Sequence, residues 1–187
     1  LMAYDQLIAY DPDNKYAWEE KGCALECLNR HDEAILAFDK ALMIDPDLET
    51  TWYQKGKVLA SLARHEEAIE AYDSALGCIK RESDEWCTDP NSTTAIDTYI
   101  SSWVNKAIAL DYLNRHEQAL AAYKHALAFS EEPNHASSWS CRAKALVALG
   151  RYEEAIDAYD RALALDPQNQ IILSEKTDTL ANLRSVP

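Results

Sequence analysis

The chain has 187 residues, 48% of them hydrophobic with only 4 glycines, a composition that suits a helical protein. Its 32 acidic and 18 basic residues leave a net charge of −14, which disfavours nucleic acid as the main partner because a phosphate backbone must be met by clustered Lys and Arg. No apolar run reaches the length of a bilayer span and the opening LMAYDQLIAYDPD lacks the basic stretch and long apolar core of a secretory signal, so the expectation is a soluble, cytoplasmic protein with no membrane partner.

In chain order, Leu1–Tyr10 reads as a short helix with Leu1, Tyr4, Leu7 and Ile8 on one face. Asp11-Pro12 stops it, since the residue before proline avoids the α region and proline has no amide hydrogen to donate. Residues 15–48 then set a pattern. With Lys15 as position 1, Trp18 falls at 4, Gly22 at 8, Leu25 at 11, Ala34 at 20, Phe38 at 24, Ala41 at 27 and Pro46 at 32. The expected elements are a helix A from about Lys15 to Leu28, a turn at Asn29-Arg30-His31, and a helix B from about Asp32 to Ile44, ended by Asp45-Pro46.

The pattern recurs. Trp52, Gly56, Leu59, Ala68, Tyr72 and Ala75 each follow their counterparts by 34 residues. Trp103, Leu110, Ala119, Tyr123 and Ala126 make a third copy opening at Ile100, and Trp139, Leu146, Ala155, Tyr159, Ala162 and Pro167 a fourth opening at Ala136. Ala68 and Ala119 are 51 residues apart, 17 more than one period, so an insertion sits around KRESDEWCTDPNSTTAIDTY. The second copy's helix B is expected to run through Ile79 to about Arg81, and the third copy's helix A to reach back to Thr93, with a loop between. Two further residues are added near Ser130–His135. Gln170–Arg184 reads as a closing helix with Ile171, Ile172, Leu173, Leu180 and Leu183 inside and Ser174, Glu175, Lys176, Asp178 and Asn182 outside.

A 34-residue period carrying Trp, Gly, Ala, an aromatic and Pro at these positions resembles the tetratricopeptide repeat. Three departures stand out: Lys21, Lys55, Lys106 and Arg142 replace a Leu, Leu replaces Tyr at position 11, and Ala107 and Ala143 replace Gly. The resemblance implies an all-α, right-handed solenoid of antiparallel helix pairs. The expected division is a single domain: 1–14 a partial repeat (second helix only), 15–48 and 49–82 the first two repeats, 83–99 the insertion, 100–135 and 136–169 the last two, and 170–187 a capping helix. Small residues at positions 8, 20 and 27 are expected to let the backbones approach, with the aromatic at 24 filling the space beside them.

The same register tests the candidates for chemistry. His31, His65 and His116 all stand at position 17, so translation along the array keeps them apart, and they read as turn residues rather than as a metal or catalytic cluster. Five cysteines are an odd number in a chain too large to need staples, and Cys23 and Cys27 lack a second pair at ligand spacing, so free thiols and no metal or cofactor are expected. No phosphate-cradling, zinc-protease or nucleophile-elbow motif occurs, and no enzymatic activity is expected.

In tetratricopeptide arrays, helix A positions 2, 5, 6, 9, 12 and 13 line the concave groove. The resemblance therefore implies a groove of Tyr16, Glu19, Glu20, Cys23, Glu26 and Cys27, then Thr50, Tyr53, Gln54, Lys57 and Ser61. It continues with Ser101, Val104, Asn105, Ile108, Asp111 and Tyr112, and with Ser137, Ser140, Cys141, Lys144 and Val147. From these, the site candidates are Tyr16, Glu19, Cys23, Tyr53, Gln54, Lys57, Asn105, Ile108, Tyr112, Cys141 and Lys144, since their donors, stacking surfaces and apolar contacts suit a peptide or helix of a partner protein. The Lys/Asn clamp of chaperone-binding members is not reproduced: its positions hold Glu19, Cys23, Gln54, Ser101 and Asn105, or Tyr53, Lys57, Asn105, Ser137 and Cys141. The acidic first repeat suggests a partner segment of basic or mixed character. Two alternatives to a scaffold or adaptor stand beside this reading: self-assembly into homo-oligomers through the N-terminal helix, and the regulatory array of a larger enzyme.

Overall fold

The computed structural model describes residues 1–79, 93–128 and 136–185. Among them lie ten helices and no strand: α1 (Met2–Tyr10), α2 (Lys15–Cys27), α3 (His31–Ile44), α4 (Glu49–Ser61), α5 (His65–Ile79), α6 (Thr93–Tyr112), α7 (His116–Ala128), α8 (Ala136–Ala148), α9 (Tyr152–Leu165) and α10 (Gln170–Ser185). The chain divides into two compact units, Leu1–Cys87 and Thr88–Pro187. The first holds the helix pairs α2/α3 and α4/α5 with α1 packed on α2, and the second holds α6/α7 and α8/α9 with α10 packed on α9.

Each A–B turn is built the same way. The residue at its centre is left-handed: Asn29 (φ 56°), Ala63 (58°), Asn114 (59°) and Gly150 (71°). The following amide reaches back to the position-11 leucine, Arg30 N to Leu25 O at 2.9 Å, Arg64 to Leu59 at 3.0 Å, Arg115 to Leu110 at 2.9 Å and Arg151 to Leu146 at 2.9 Å. Carbonyls otherwise orphaned at the end of helix A are thereby satisfied. Helix B begins one residue earlier than expected, so His31, His65 and His116 are the first residues of α3, α5 and α7 rather than turn residues. The exits follow proline as expected, with α1, α3 and α9 ending just before Asp11-Pro12, Asp45-Pro46 and Asp166-Pro167.

The packing inside each pair explains the small residues. Ala34, Ala68, Ala119 and Ala155 at position 20, and Ala41, Ala75, Ala126 and Ala162 at position 27, are all buried. A Cβ on Gly22 would stand 2.5 Å from Phe38 Cε1, and one on Gly56 2.6 Å from Tyr72 Cε1, so the aromatic at position 24 lies directly on the backbone of helix A. Removing Phe38 would cost about 3–5 kcal/mol by transfer and cavity terms together. Trp18 and Trp52 pack at the edge of the first unit's cores and donate their indole N–H to Pro12 O and Pro46 O, both at 2.9 Å.

The cations that replace the signature leucine have a role of their own. Lys21 lies over the Trp18 ring at 5.2 Å, Lys55 over Trp52 at 5.1 Å, Lys106 over Trp103 at 5.2 Å and Arg142 over Trp139 at 5.6 Å. Lys21 also meets Asp5 at 2.7 Å and Lys55 meets Asp39 at 2.6 Å, each an aspartate on the helix B before it. Lys176 of α10 pairs with Asp160 of α9 in the same register. Lys21 and Lys55 therefore tie one repeat to its predecessor while covering a ring.

α6 starts at Thr93, the backward extension expected for the third copy, and Ala95, Ile96 and Thr98 are buried. The expected loop before it, the end of α5 beyond Ile79 and the residues added near Ser130–His135 lie outside the described residues. α10 requires a correction. Ile172 and Thr179 are buried, whereas Ile171 is 70% exposed and Leu173 is also exposed; Glu175 and Lys176, expected on the outer face, are half-buried and paired. The reason is that α10 packs as a helix A does, burying positions 3 and 10 against the preceding repeat, so the arc of apolar residues read from the sequence does not coincide with its buried side.

Candidate functional site

In the first unit the candidate face is formed by α2 and α4. Thr50 Oγ1 donates to Glu19 Oε1 at 2.9 Å, which joins position 2 of one helix A to position 5 of the previous one. Lys57 Nζ donates to Gln54 Oε1 at 2.9 Å, lies 3.6 Å from Glu26 Oε1, and sits 5.8 Å from the Tyr53 ring centroid. Tyr53 in turn leans on Tyr72 with ring centroids 6.2 Å apart, so its position is set by the core. Glu19, Cys23, Tyr53, Gln54 and Lys57 thus form one half-buried cluster, while Tyr16 stands at its edge, 61% exposed.

The field on this face is negative. Burial pushes the Cys23 thiol up to about 11, and the neighbouring carboxylates of Glu19, Glu20 and Glu26 push in the same direction against the opposing Lys57. A thiolate would have to form out of water and beside three negative charges. Cys23 is accordingly an inert thiol rather than a nucleophile.

The second unit's face, on α6, α8 and α10, is built differently. Ser101, Val104 and Ser140, expected to line a groove, are buried. α6 lies against α8 along this face. Burial also raises the Cys141 thiol above its ordinary value. Lys144 Nζ meets Glu175 Oε1 at 2.9 Å, and Ser140 Oγ donates to Glu175 Oε2 at 2.9 Å. Glu175 is the residue that sequence reasoning missed; the signal was available, since Glu175 is position 6 if Gln170 opens a fifth copy. Asn105 and Ile108 are half-buried and Tyr112 is exposed at the end of α6. Beside them Asp111 accepts from the Tyr123 hydroxyl at 3.2 Å and contacts His116 Nδ1 at 3.0 Å. Burial, with Asp111 adding to it, holds the Tyr123 phenol protonated well above its ordinary range.

These arrangements offer hydrogen-bond donors, acceptors and rings, with no nucleophile set against a base. Among the described residues no group of three or more His, Cys, Asp or Glu could hold a metal ion, and no helix is long and apolar enough to cross a membrane.

Tetratricopeptide repeat profiles match residues 15–48, 49–77, 100–133 and 136–169, and the chain belongs to that family. No curated protein sequence matches it. Solved structures similar to it include the crystal structure of MamA, 18% identical, covering 89% of this chain and 86% of that one with a TM-score of 0.58. They also include MamA 41-end from Desulfovibrio magneticus RS-1, 16% identical with 89% and 84% covered and a TM-score of 0.56. The Arabidopsis OM64 TPR domain is 16% identical, with 73% of this chain and 92% of that one covered and a TM-score of 0.53. Likeness at this level of identity shows the fold.

Proposed function

We propose that this chain is a protein-interaction module whose helix A faces take a segment of a partner protein, and that the face on α2 and α4 prefers a segment carrying basic side chains. The observation that supports this most is the set of Glu19, Glu20 and Glu26 carboxylates around Cys23, whose negative field a lysine or arginine of a partner would meet. Tyr16, 61% exposed, and the half-buried Tyr53 border this cluster, each with a lysine of the chain over its ring, Lys15 at 5.0 Å and Lys57 at 5.8 Å. Asn105, Ile108, Tyr112, Cys141 and Lys144 serve the corresponding face of the second unit.

The test is calorimetric titration with two peptides of equal length, one rich in Lys and Arg, the other in Asp and Glu, at low and high salt. The basic peptide binds and weakens with salt; Glu19→Gln with Glu26→Gln reduces its affinity about tenfold, while Lys57→Ala leaves it equal or tighter. Binding of both peptides alike, or binding unchanged by the double substitution, would overturn the reading.

A further inference from the structure

Away from the helix A faces, the outer ridge of α3 has a composition that the other helices B do not share. Positions 22, 26 and 29 of a repeat, spaced i, i+4, i+7, lie along one side of helix B. In α5 they are Glu70, Ser74 and Gly77, and in α9 Asp157, Arg161 and Ala164. In α3 they are Leu36, Lys40 and Met43, with Leu36 64% and Met43 76% exposed. α3 packs against α2 and α4, so this exposure does not arise from a missing neighbour within the unit.

The ridge borders two hollows, one of about 270 Å³ between Trp18, Leu36 and Ala37 and one of about 620 Å³ between Trp18, Met43 and Pro12, with Lys40 on the rim of both. The equivalent hollow in the fourth repeat is of similar size, about 240 Å³, but its lining is charged: Arg161 and Arg142 lie over Trp139 at 4.9 and 5.6 Å, and Asp157 stands where Leu36 does. In the first repeat Lys21 alone covers Trp18, and Leu25, Leu36 and Ala37 give the hollow an apolar floor with Glu33 and Lys40 at its rim. Of the other charges that line the hollows, Lys21 meets Asp5 and Glu33 meets Arg30, while among the described residues neither Lys40 nor Asp13, at the far side of the larger hollow, has an ion pair.

We propose that the α3 ridge is a second docking surface, distinct from the helix A faces, and that it takes an amphipathic helix of a partner protein carrying two apolar side chains about two turns apart with a carboxylate between them. The spacing follows from Leu36 and Met43, separated by about 10 Å along the helix. The carboxylate follows from Lys40, which stands between Leu36 and Met43 on the ridge and lines both hollows. A second copy docked ridge to ridge about a two-fold axis at Lys40 would set the two ammonium groups against each other, which argues against a symmetric pairing on this surface.

The test uses three synthetic helical peptides of one length: one with Leu, Glu, Leu at these spacings, one with Leu, Lys, Leu, and one with Ser, Glu, Ser. Amide chemical shifts of the full chain are followed during titration. The first peptide shifts the amides around Leu36, Lys40 and Met43 and binds at least tenfold more tightly than the other two. Lys40→Glu transfers the preference to the second peptide. Leu36→Asp with Met43→Ala, which copies Asp157 and Ala164 of the fourth repeat and so keeps the fold, abolishes binding of all three while leaving binding at the helix A faces intact. Shifts confined to α2 and α4, equal binding of the first two peptides, or concentration-dependent self-association removed by the Leu36→Asp, Met43→Ala variant would each overturn the proposal.

Discussion

Replacing Ala63 by glycine should stabilise the protein, although glycine inside a helix does the opposite. Ala63 is held at φ 58° between Ala60 O, to which its amide donates at 3.0 Å, and the Arg64 amide that returns to Leu59 O at 3.0 Å. An L-residue in this region sets its Cβ against the neighbouring carbonyl at roughly 1–2 kcal/mol. Glycine removes that strain but has a more mobile unfolded chain, which takes back roughly 0.5–1 kcal/mol, so the expected net gain is about 0.5–1 kcal/mol. At about 2–4 °C per kcal/mol for a chain of this size, the melting temperature rises by about 1–4 °C. Gly150 supplies the mirror experiment: its φ is 71° and a Cβ there would meet nothing within 4 Å, so Gly150→Ala carries the backbone strain alone and should lower stability by a similar amount. Both variants would be followed by circular dichroism on heating and by native-state hydrogen exchange at the affected turn, which isolates the local effect if the two units unfold separately. A destabilised Ala63→Gly variant, or a neutral Gly150→Ala variant, would refute the reasoning.

Three other outcomes follow from the packing and the charges. Gly22→Ala should cost about 1–3 kcal/mol in urea denaturation, because its Cβ would lie 2.5 Å from Phe38 Cε1 on a ring that is itself wholly enclosed. Thr51 and Ser138, both at position 3, bury hydroxyls with no hydrogen-bond partner among the described residues, so Thr51→Val and Ser138→Ala should be neutral or stabilising by up to about 1 kcal/mol in the same assay. With the Cys23 thiol pushed up to about 11 from an ordinary value of 9.0, its thiolate fraction at pH 8 falls about a hundredfold; in a pH series of iodoacetamide labelling read by mass spectrometry, exposed Cys27 should react first and Cys23 only as the pH approaches 11.

The period itself was enough to reach the fold, because each helix pair is specified by contacts within about 34 residues: a small residue at position 8 beneath an aromatic at 24, alanines at 20 and 27, and a proline that ends helix B. Such local rules repeat along a chain and are visible in it. They also carried the left-handed turn, since Asn29, Asn114 and Gly150 are residues that tolerate it, though Ala63 carries no such mark and only its backbone angle reveals the strain. What the period could not decide was how near one helix A lies to the next. In the second unit Ser101, Val104 and Ser140 are buried, while Glu19, Tyr53 and Gln54 of the first unit's face stay half-buried. The same holds for α10, where Glu175 turned inward to Lys144 and Ile171 outward to solvent. Exposure is a property of two surfaces in contact, so residue type and register name the candidates for a binding face, and the distance between packed helices selects among them.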